Sequence, residues 1–420
     1  MLVAGYSGVG KSALVHEVHK PMTAKRGYFA TGKFDQYQRN IPYSAITKAF
    51  NEFCNYLLTE STSQLNQWRE KILAAVGNNG QVLIDVIPNL ELIIGKQPAV
   101  ASVGFVEAQN RFNLCFQYFM HAISQPEHPL VLFIDDWQWA DSASMGLLST
   151  LMADKENQSL LIIGAYRDNE VNAAHPFMIT VETLKKANAI ITTIQLSNLS
   201  HYDINALIAE TLAQGCKVTL HPLTQLVYEK TQGNAFFTRE FLKSLYAQGL
   251  LVFDWQTQRW QWDIDQIAVQ EMTDNVVELM ADKISQLPTE TISALKLAAC
   301  IGNSFELNTL SIIYQQALQI TLQHLWNSIE EGLIFPLNDN YKLFTDDGLL
   351  ITEFQFQHDR VQQAAYSLIA DTDKKSIHLQ IGRLLLANTK LAELENSVFD
   401  IVNQLNEGRE LIEDNAEKLH

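Results

Sequence analysis

Eight residues near the N-terminus, Gly5-Tyr6-Ser7-Gly8-Val9-Gly10-Lys11-Ser12, have the composition of an anion grip. Glycines let the backbone turn its N–H groups inward, where a side chain would intrude. A strand is expected just before them (Leu2 to Ala4) and a helix just after (Lys11 to Val18), whose N-terminal end adds partial positive charge at the same point. Gly5, Ser7, Gly8, Val9, Gly10, Lys11, Ser12 and Ala13 would together surround a phosphate chain, as in ATP or ADP. Lys11 is placed to reach the β- and γ-phosphates, and Ser12 to offer its hydroxyl to Mg2+.

Asp135 and Asp136 close a continuous apolar run, Leu130-Val131-Leu132-Phe133-Ile134, which reads as a buried parallel strand. A carboxylate at such a strand end can hold Mg2+, and a second can orient and deprotonate an attacking water. Asp135 is assigned to the metal and Asp136 to the base. Arg167 follows the run Leu160 to Ala165. If that strand neighbours the Asp135 strand, the guanidinium reaches the same edge and stands near a γ-phosphate; the other reading is a surface salt bridge to Asp168 or Glu170. Asp141 is read as a helix cap. His358, just before a helix from Asp359, reads as a cap or a packed ring, while His16, His19 and His201 show no ligand spacing. Trp255, Trp260 and Trp262 flank a polar turn without interleaved basic residues, so they read as hairpin core and not as a stacking platform.

The elements that must position these groups alternate in the first part of the chain. Strands are expected at Leu2 to Ala4, Gly27 to Gly32, Leu130 to Ile134, Leu160 to Ala165 and Ile190 to Leu196, with helices at Ile46 to Leu58 and Glu107 to Ile123 between them. That order implies a parallel sheet covered on both faces. After Leu196 the pattern turns helical (Ser200 to Gln214, His221 to Gln232, Ala235 to Gln248), then a hairpin within Leu250 to Ile267. Helices follow at Asp274 to Gln286, Glu290 to Ile301, Leu307 to Ala317 and Leu322 to Glu331. A polar segment from Pro336 to Thr352 precedes the alternating Phe354-Gln355-Phe356 and a helix from Asp359 to Ile369. Helices, a hairpin and a helix are the order of a winged-helix domain. From Lys374 the chain reads as amphipathic helix.

Hydrophobic residues make up 47% of the 420 and charged residues 18%, so the chain is globular in composition. Lys and Arg total 30 against 47 Asp and Glu, a net charge of -17, which argues against a broad footprint on nucleic acid or an anionic membrane. Cys54, Cys115, Cys216 and Cys300 are scattered in apolar stretches, as buried thiols of a reducing compartment would be. With no signal-peptide pattern and no apolar run long enough to span a bilayer, a cytoplasmic protein, or a cytoplasmic part of one, is expected. Only four residues precede Gly5, so a piece of a longer protein, or a misplaced start, is expected.

Several longer segments point further. The phosphate loop, Gly32-Lys33-Phe34-Asp35-Gln36-Tyr37-Gln38-Arg39-Asn40-Ile41-Pro42-Tyr43, Glu107-Ala108-Gln109-Asn110-Arg111-Phe112, Asp135-Asp136-Trp137-Gln138-Trp139-Ala140-Asp141 and Tyr166-Arg167-Asp168-Asn169-Glu170 match one pattern. They resemble the AAA-like ATPase module of the STAND class, the signal-transduction ATPases with numerous domains. The likeness is to the module inside large bacterial multi-sensor kinases of cyanobacterial type. There it is flanked by a Ser/Thr kinase domain before and by helical repeats, a GAF domain and a histidine kinase after. The resemblance implies an α/β P-loop NTPase domain with an AAA-like parallel sheet (1–197), a helical lid with the Trp-rich hairpin (198–286), a winged-helix domain (287–370) and the start of an α-helical TPR-like repeat (371–420). It also implies that His358, in Phe356-Gln357-His358-Asp359, contacts the β-phosphate of ADP, and that Arg167 is the functional arginine after the sensor strand. In one departure, Gly233-Asn234-Ala235 lacks the proline that the class places in its lid.

The expected function is a regulatory ATPase switch in signal transduction, with slow hydrolysis of ATP coupled to rearrangement of the lid and winged helix. Its partners would be the nucleotide and flanking kinase and sensor domains, or other proteins met through the helical repeats. The alternative is a nucleotide-dependent scaffold or DNA-binding transcription regulator with incidental hydrolysis. Leu322 to Glu331, the expected recognition helix, carries no Lys or Arg, which disfavours DNA. Neither a kinase Gly-rich loop nor a DFG motif occurs, so any protein kinase activity belongs to flanking domains.

Overall fold

Apolar residues of the strand Leu130–Asp135 alternate between two cores, and that alternation sets which way its last carboxylate faces. The computed structural model describes residues 1–36, 41–212, 220–269, 275–338, 340, 352–389 and 394–412. They fall into two compact units, Met1–Ile267 and Ala268–His420.

In the first unit β1 (Leu2–Ala4), β2 (Tyr28–Lys33), β3 (Leu130–Asp135), β4 (Leu160–Tyr166) and β5 (Thr193–Gln195) form one sheet in the order β2-β3-β4-β1-β5. Every pairing is parallel, because each strand returns to the same edge through helical connections. On one face Leu130, Leu132 and Ile134 pack with Phe50 and Phe53 of the helix Ser44–Leu58 and Phe116 and Phe119 of the helix Phe105–Ile123. Phe50 meets Phe116 edge to face, with centroids 5.0 Å apart. Burying each ring contributes about 1.5–3 kcal/mol. On the other face Val131 and Phe133 pack with Val3, Ile163, Ala165 and Val15 of the short helix Lys11–His16. Side chains two apart share a face, so Asp135 belongs with Val131 and Phe133, on the side that carries the Lys11–His16 helix.

β5 is shorter than the apolar run Ile190 to Leu196 suggests, and the helix expected to reach Val18 stops at His16 before a second one, His19–Ala24. Helices His201–Leu212, His221–Thr231 and Ala235–Ala247 follow, then an antiparallel hairpin of β6 (Leu251–Asp254) and β7 (Arg259–Trp262). Trp255 departs from the hairpin-core reading and is 83% exposed. It lies beyond β6, in a turn held by Asp254, whose Oδ1 accepts from the Gln256 and Thr257 N–H groups, and its ring meets Phe253 edge to face.

The second unit contains helices Val276–Ser285, Thr289–Ile301, Leu307–Tyr314 and Leu318–Glu330, then Asp359–Ser367, Asp371–Asn388 and Leu394–Glu407. Between them β8 (Ser304–Glu306), β9 (Ile334–Pro336) and β10 (Glu353–Phe356) make an antiparallel sheet in the order β8-β10-β9. Most of the polar segment expected from Pro336 to Thr352 lies outside the described residues, as do Tyr37 to Asn40 and Cys216. No helix among the described residues is long and apolar enough to cross a membrane.

Cys54, Cys115 and Cys300 are buried and unpaired. Burial pushes the Cys54 and Cys300 thiols up to about 12 and Cys115 up to about 11. In a Cys216→Ser variant at pH 8, native protein should therefore react with a disulfide reagent roughly a hundredfold more slowly than unfolded chain. One thiol titrating rapidly in the native state would contradict this packing.

Candidate functional site

The phosphate loop leaves β1 at Ala4 and enters the Lys11–His16 helix. Gly8 and Gly10 have φ of 81° and 104°, left-handed values that only glycine adopts without strain. At Gly10 the dihedral is the whole requirement, since an added Cβ would meet nothing within 4 Å. Lys11 is 7% exposed, and its Nζ donates to the Gly5 and Tyr6 carbonyls, each at 2.9 Å. Burial lowers its pKa, with Asp135 and Asp136 acting in the opposite sense. The Ser7 hydroxyl is buried with no hydrogen-bond partner, the Val9 N–H reaches back to the Tyr6 carbonyl at 3.5 Å, and Ala13 lies exposed on the helix.

Ser12 Oγ donates to Asp135 Oδ2 at 2.7 Å, across 123 residues of chain. Two features produce that meeting. β4 alone separates β1 from β3, and the alternation along β3 points Asp135 toward the loop helix. Asp135 Oδ1 meanwhile accepts the Asp136 N–H at 2.8 Å.

Asp136 turns another way. Its φ of 58° is left-handed, and Gln138, Arg167 and Lys33 are among the residues that hold its side chain. Oδ1 accepts from Gln138 Nε2 at 2.7 Å and Arg167 Nε at 3.1 Å, while Lys33 Nζ stands 3.4 Å from Oδ2. Arg167 is 2% exposed. Its Nη1 donates to Glu170 Oε1 at 2.9 Å, its guanidinium lies 4.3 Å from the Trp139 ring centre, and its backbone N–H donates to Gln138 Oε1. β4 does neighbour β3, so Arg167 reaches the carboxylate edge as expected of adjacent strands. Once there it is buried and pairs with both Asp136 and Glu170, close enough to the loop for its charge to act on Lys11.

Sequence reasoning missed Lys33 and Gln138. Lys33 carried a signal, a charge directly after the apolar run Tyr28 to Gly32, and β2 pairs it in register with Asp135. Gln138 carried none. Asp141 is a cap as expected: it accepts the Ser144 N–H at 2.8 Å and also the Tyr43 N–H at 3.2 Å. His358 lies in the second unit, where Nδ1 accepts the Arg360 N–H at 3.1 Å and caps the Asp359–Ser367 helix.

The donor set can be tested against what it would hold. A loop with left-handed glycines, a buried lysine, an unpartnered buried hydroxyl and open space at Gly10 suit a phosphate chain. Ser12 and Asp135, two hard oxygen donors, suit Mg2+, which keeps several waters and needs few protein ligands. No cluster of three or more His, Cys, Asp or Glu side chains able to hold a metal occurs among the described residues.

Residues 1–163 match the family model described as the AAA ATPase domain. All of the chain aligns, at 31% identity, with 15% of the hybrid signal transduction histidine kinase G of Dictyostelium discoideum. At 20% identity, 81% of it aligns with 16% of the peroxide stress-activated histidine kinase mak3 of Schizosaccharomyces pombe. The chain thus spans less than a fifth of the length of these relatives. Among solved structures, a STAND protein with a tetratricopeptide repeat sensor from Pyrococcus horikoshii matches with a TM-score of 0.45 and 14% identity, over 96% of this chain and 45% of that one. Residues 1–163 thus carry the sequence pattern of the AAA ATPase domain, in a chain similar along its whole length to a segment of a histidine kinase.

Proposed function

We propose that the chain binds Mg-ATP and Mg-ADP at the Gly5–Ser12 loop and works as a slow, regulatory ATPase switch. The observation that carries this reading is the 2.7 Å bond between Ser12 and Asp135, which joins the loop to the carboxylate edge of the sheet. Mg2+ would neutralise phosphate charge there, with Ser12 and Asp135 as its protein ligands. Lys11 would exchange its two carbonyl partners for phosphate oxygens. Asp136 would orient a water and accept its proton. Gln138 and Arg167 already occupy lone pairs of that carboxylate, so few remain for the water, and a poorly disposed base gives slow chemistry. Arg167 acts through Asp136 in this scheme, as the residue that sets its orientation.

A switch needs two states that ATP and ADP favour unequally. In our reading the ATPase domain (1–197) is followed by a lid (198–286), a winged-helix domain (287–370) and a TPR-like start (371–420), and flanking kinase and sensor modules of a longer signalling protein read their arrangement. The β8-β10-β9 sheet with the helices before and after it supports the winged-helix assignment. The Leu318–Glu330 helix has no Lys or Arg to meet phosphate, so the surface suits protein contacts.

Calorimetric titration with and without Mg2+ tests the site. Wild type should bind ATP more tightly with Mg2+ and release phosphate at a rate on the order of 10⁻³ s⁻¹. Asp135→Asn should lose most of the Mg2+ enhancement while still binding ADP. An Asp135→Asn protein with the full enhancement would remove Asp135 from the metal site.

A further inference from the structure

The helix Ala235–Ala247 meets the outer side of the phosphate loop through its first residues. Asn234 Nδ2 donates to the Ser7 carbonyl at 2.7 Å, across 227 residues of chain, and the Phe236 N–H donates to the Gly8 carbonyl at 2.9 Å. The other atom of the Asn234 amide, Oδ1, accepts the Phe237 N–H at 3.1 Å and caps the helix. Both bonds fix the amide's orientation, since a flipped amide would set oxygen against the Ser7 carbonyl and nitrogen against the Phe237 N–H.

Asn234 is itself firmly placed. Gly233 before it has a left-handed φ of 76°, and its carbonyl accepts the Leu199 N–H at 2.8 Å. The Gln232 carbonyl accepts from Asn198 Nδ2 at 2.8 Å, and Leu196, just upstream, donates its N–H to Ala4 of β1. Gly8 completes the fit, because a Cβ there would lie 2.6 Å from Asn234 Oδ1. Loop glycine and helix asparagine are matched in shape as well as in hydrogen bonding.

A peptide group is planar and trans, so its C=O and N–H point in opposite directions. Holding the Ser7 carbonyl outward therefore holds the Gly8 N–H inward, toward the space the loop surrounds. We propose that Asn234 is a positioning residue for this loop: it presets the Ser7–Gly8 peptide for phosphate and couples phosphate occupancy to the Ala235–Ala247 helix. This rests on the loop being the nucleotide site. Any change in the loop on binding moves the Ser7 carbonyl, and the asparagine passes that change to the helix start. The helix then reports whether the site is filled.

Asn234→Asp separates the two roles, because its carboxylate still caps the helix and has no hydrogen to give Ser7. Asn234→Ala removes both and adds no charge. Each is compared with wild type for Mg-ADP affinity, for melting temperature without nucleotide, and for amide exchange across 235–247 with and without Mg-ADP. Asn234→Asp should melt within about 2 °C of wild type yet bind Mg-ADP about tenfold more weakly. Asn234→Ala should bind about fivefold more weakly, and in both the Mg-ADP protection of the helix should disappear. Wild-type affinity and protection in Asn234→Asp would overturn the coupling and leave the nucleotide site standing. Weakening in Asn234→Asp alone, with Asn234→Ala like wild type, would reduce the effect to charge and overturn it too. A wild-type chain that binds no Mg-ADP would overturn both the site and the coupling.

Discussion

Arg167→Ala should destabilise the first unit by about 3–5 kcal/mol, the cost of leaving a buried charge without its partner. The Asp136 and Arg167 side chains are 4% and 2% exposed, and Arg167 Nε is 3.1 Å from Asp136 Oδ1. Removing the guanidinium leaves the carboxylate with Gln138 and the more distant Lys33, whose side chain is 27% exposed. Those partners place the cost toward the lower end of that range. The same change strips Glu170 of its bond to Arg167 and uncovers the face of Trp139. Urea unfolding followed by tryptophan fluorescence measures the loss directly. Arg167→Lys should recover only part of it, because an ammonium cannot reproduce a fork that spans Asp136 and Glu170 while stacking on an indole. Replacing both charges, Asp136→Asn with Arg167→Met, should cost less than Arg167→Ala alone, since no buried charge is then orphaned and asparagine tolerates the left-handed backbone. A loss below about 1 kcal/mol, the size of an exposed pair, would show that Arg167 is not what supports Asp136.

Lys11→Ala should weaken Mg-ATP binding at least about a hundredfold, roughly 2.7 kcal/mol. Lys11 is the cation the phosphate loop itself supplies, and burial already penalises its charged form. An entering phosphate relieves that penalty by direct pairing, and charge-assisted bonds of this kind are the strong ones. The sign of the pH effect follows. Binding favours the protonated lysine, so affinity should be retained at low pH and decline as pH rises through the free protein's Lys11 pKa. That pKa lies below the ordinary 10.5, so the decline should begin earlier than for a solvated lysine. Calorimetry across pH 7 to about 10 reads both effects, and Lys11→Ala should lack that decline. Affinity within about threefold of wild type in Lys11→Ala would place the nucleotide elsewhere.

Much of the site was legible because its signals are local. The loop's glycines, Lys11 and Ser12 follow one another, and their chemistry depends on neighbours in the chain. The apolar run ending in Asp135 announces a buried strand, and its period of two already determines which face Asp135 shares. Asp141 and His358 stand where caps stand, and both cap their helices. Trp255 misled because apolar composition cannot tell a strand residue from one just past the strand end.

Arg167, Lys33 and Asn234 show where local reading stops. Whether a guanidinium near a strand end meets a given carboxylate depends on which strand lies beside it and on how the backbone turns after it. The order β2-β3-β4-β1-β5 and the left-handed Asp136 decide that, through hydrogen bonds between strands far apart in the chain. The missing proline belongs at Ala235, and Asn234 beside it carried no reading of its own; only the packing of its helix on the loop, 227 residues upstream, shows what its amide bonds to. From its sequence alone this protein discloses the strands of its parallel sheet, a glycine-rich loop of phosphate-binding pattern and the alternation that aims Asp135. Its ion-pair partners and the asparagine on the loop were decided by tertiary structure, because hydrogen bonds and charge pairing act over a few ångströms in space whatever the separation along the chain.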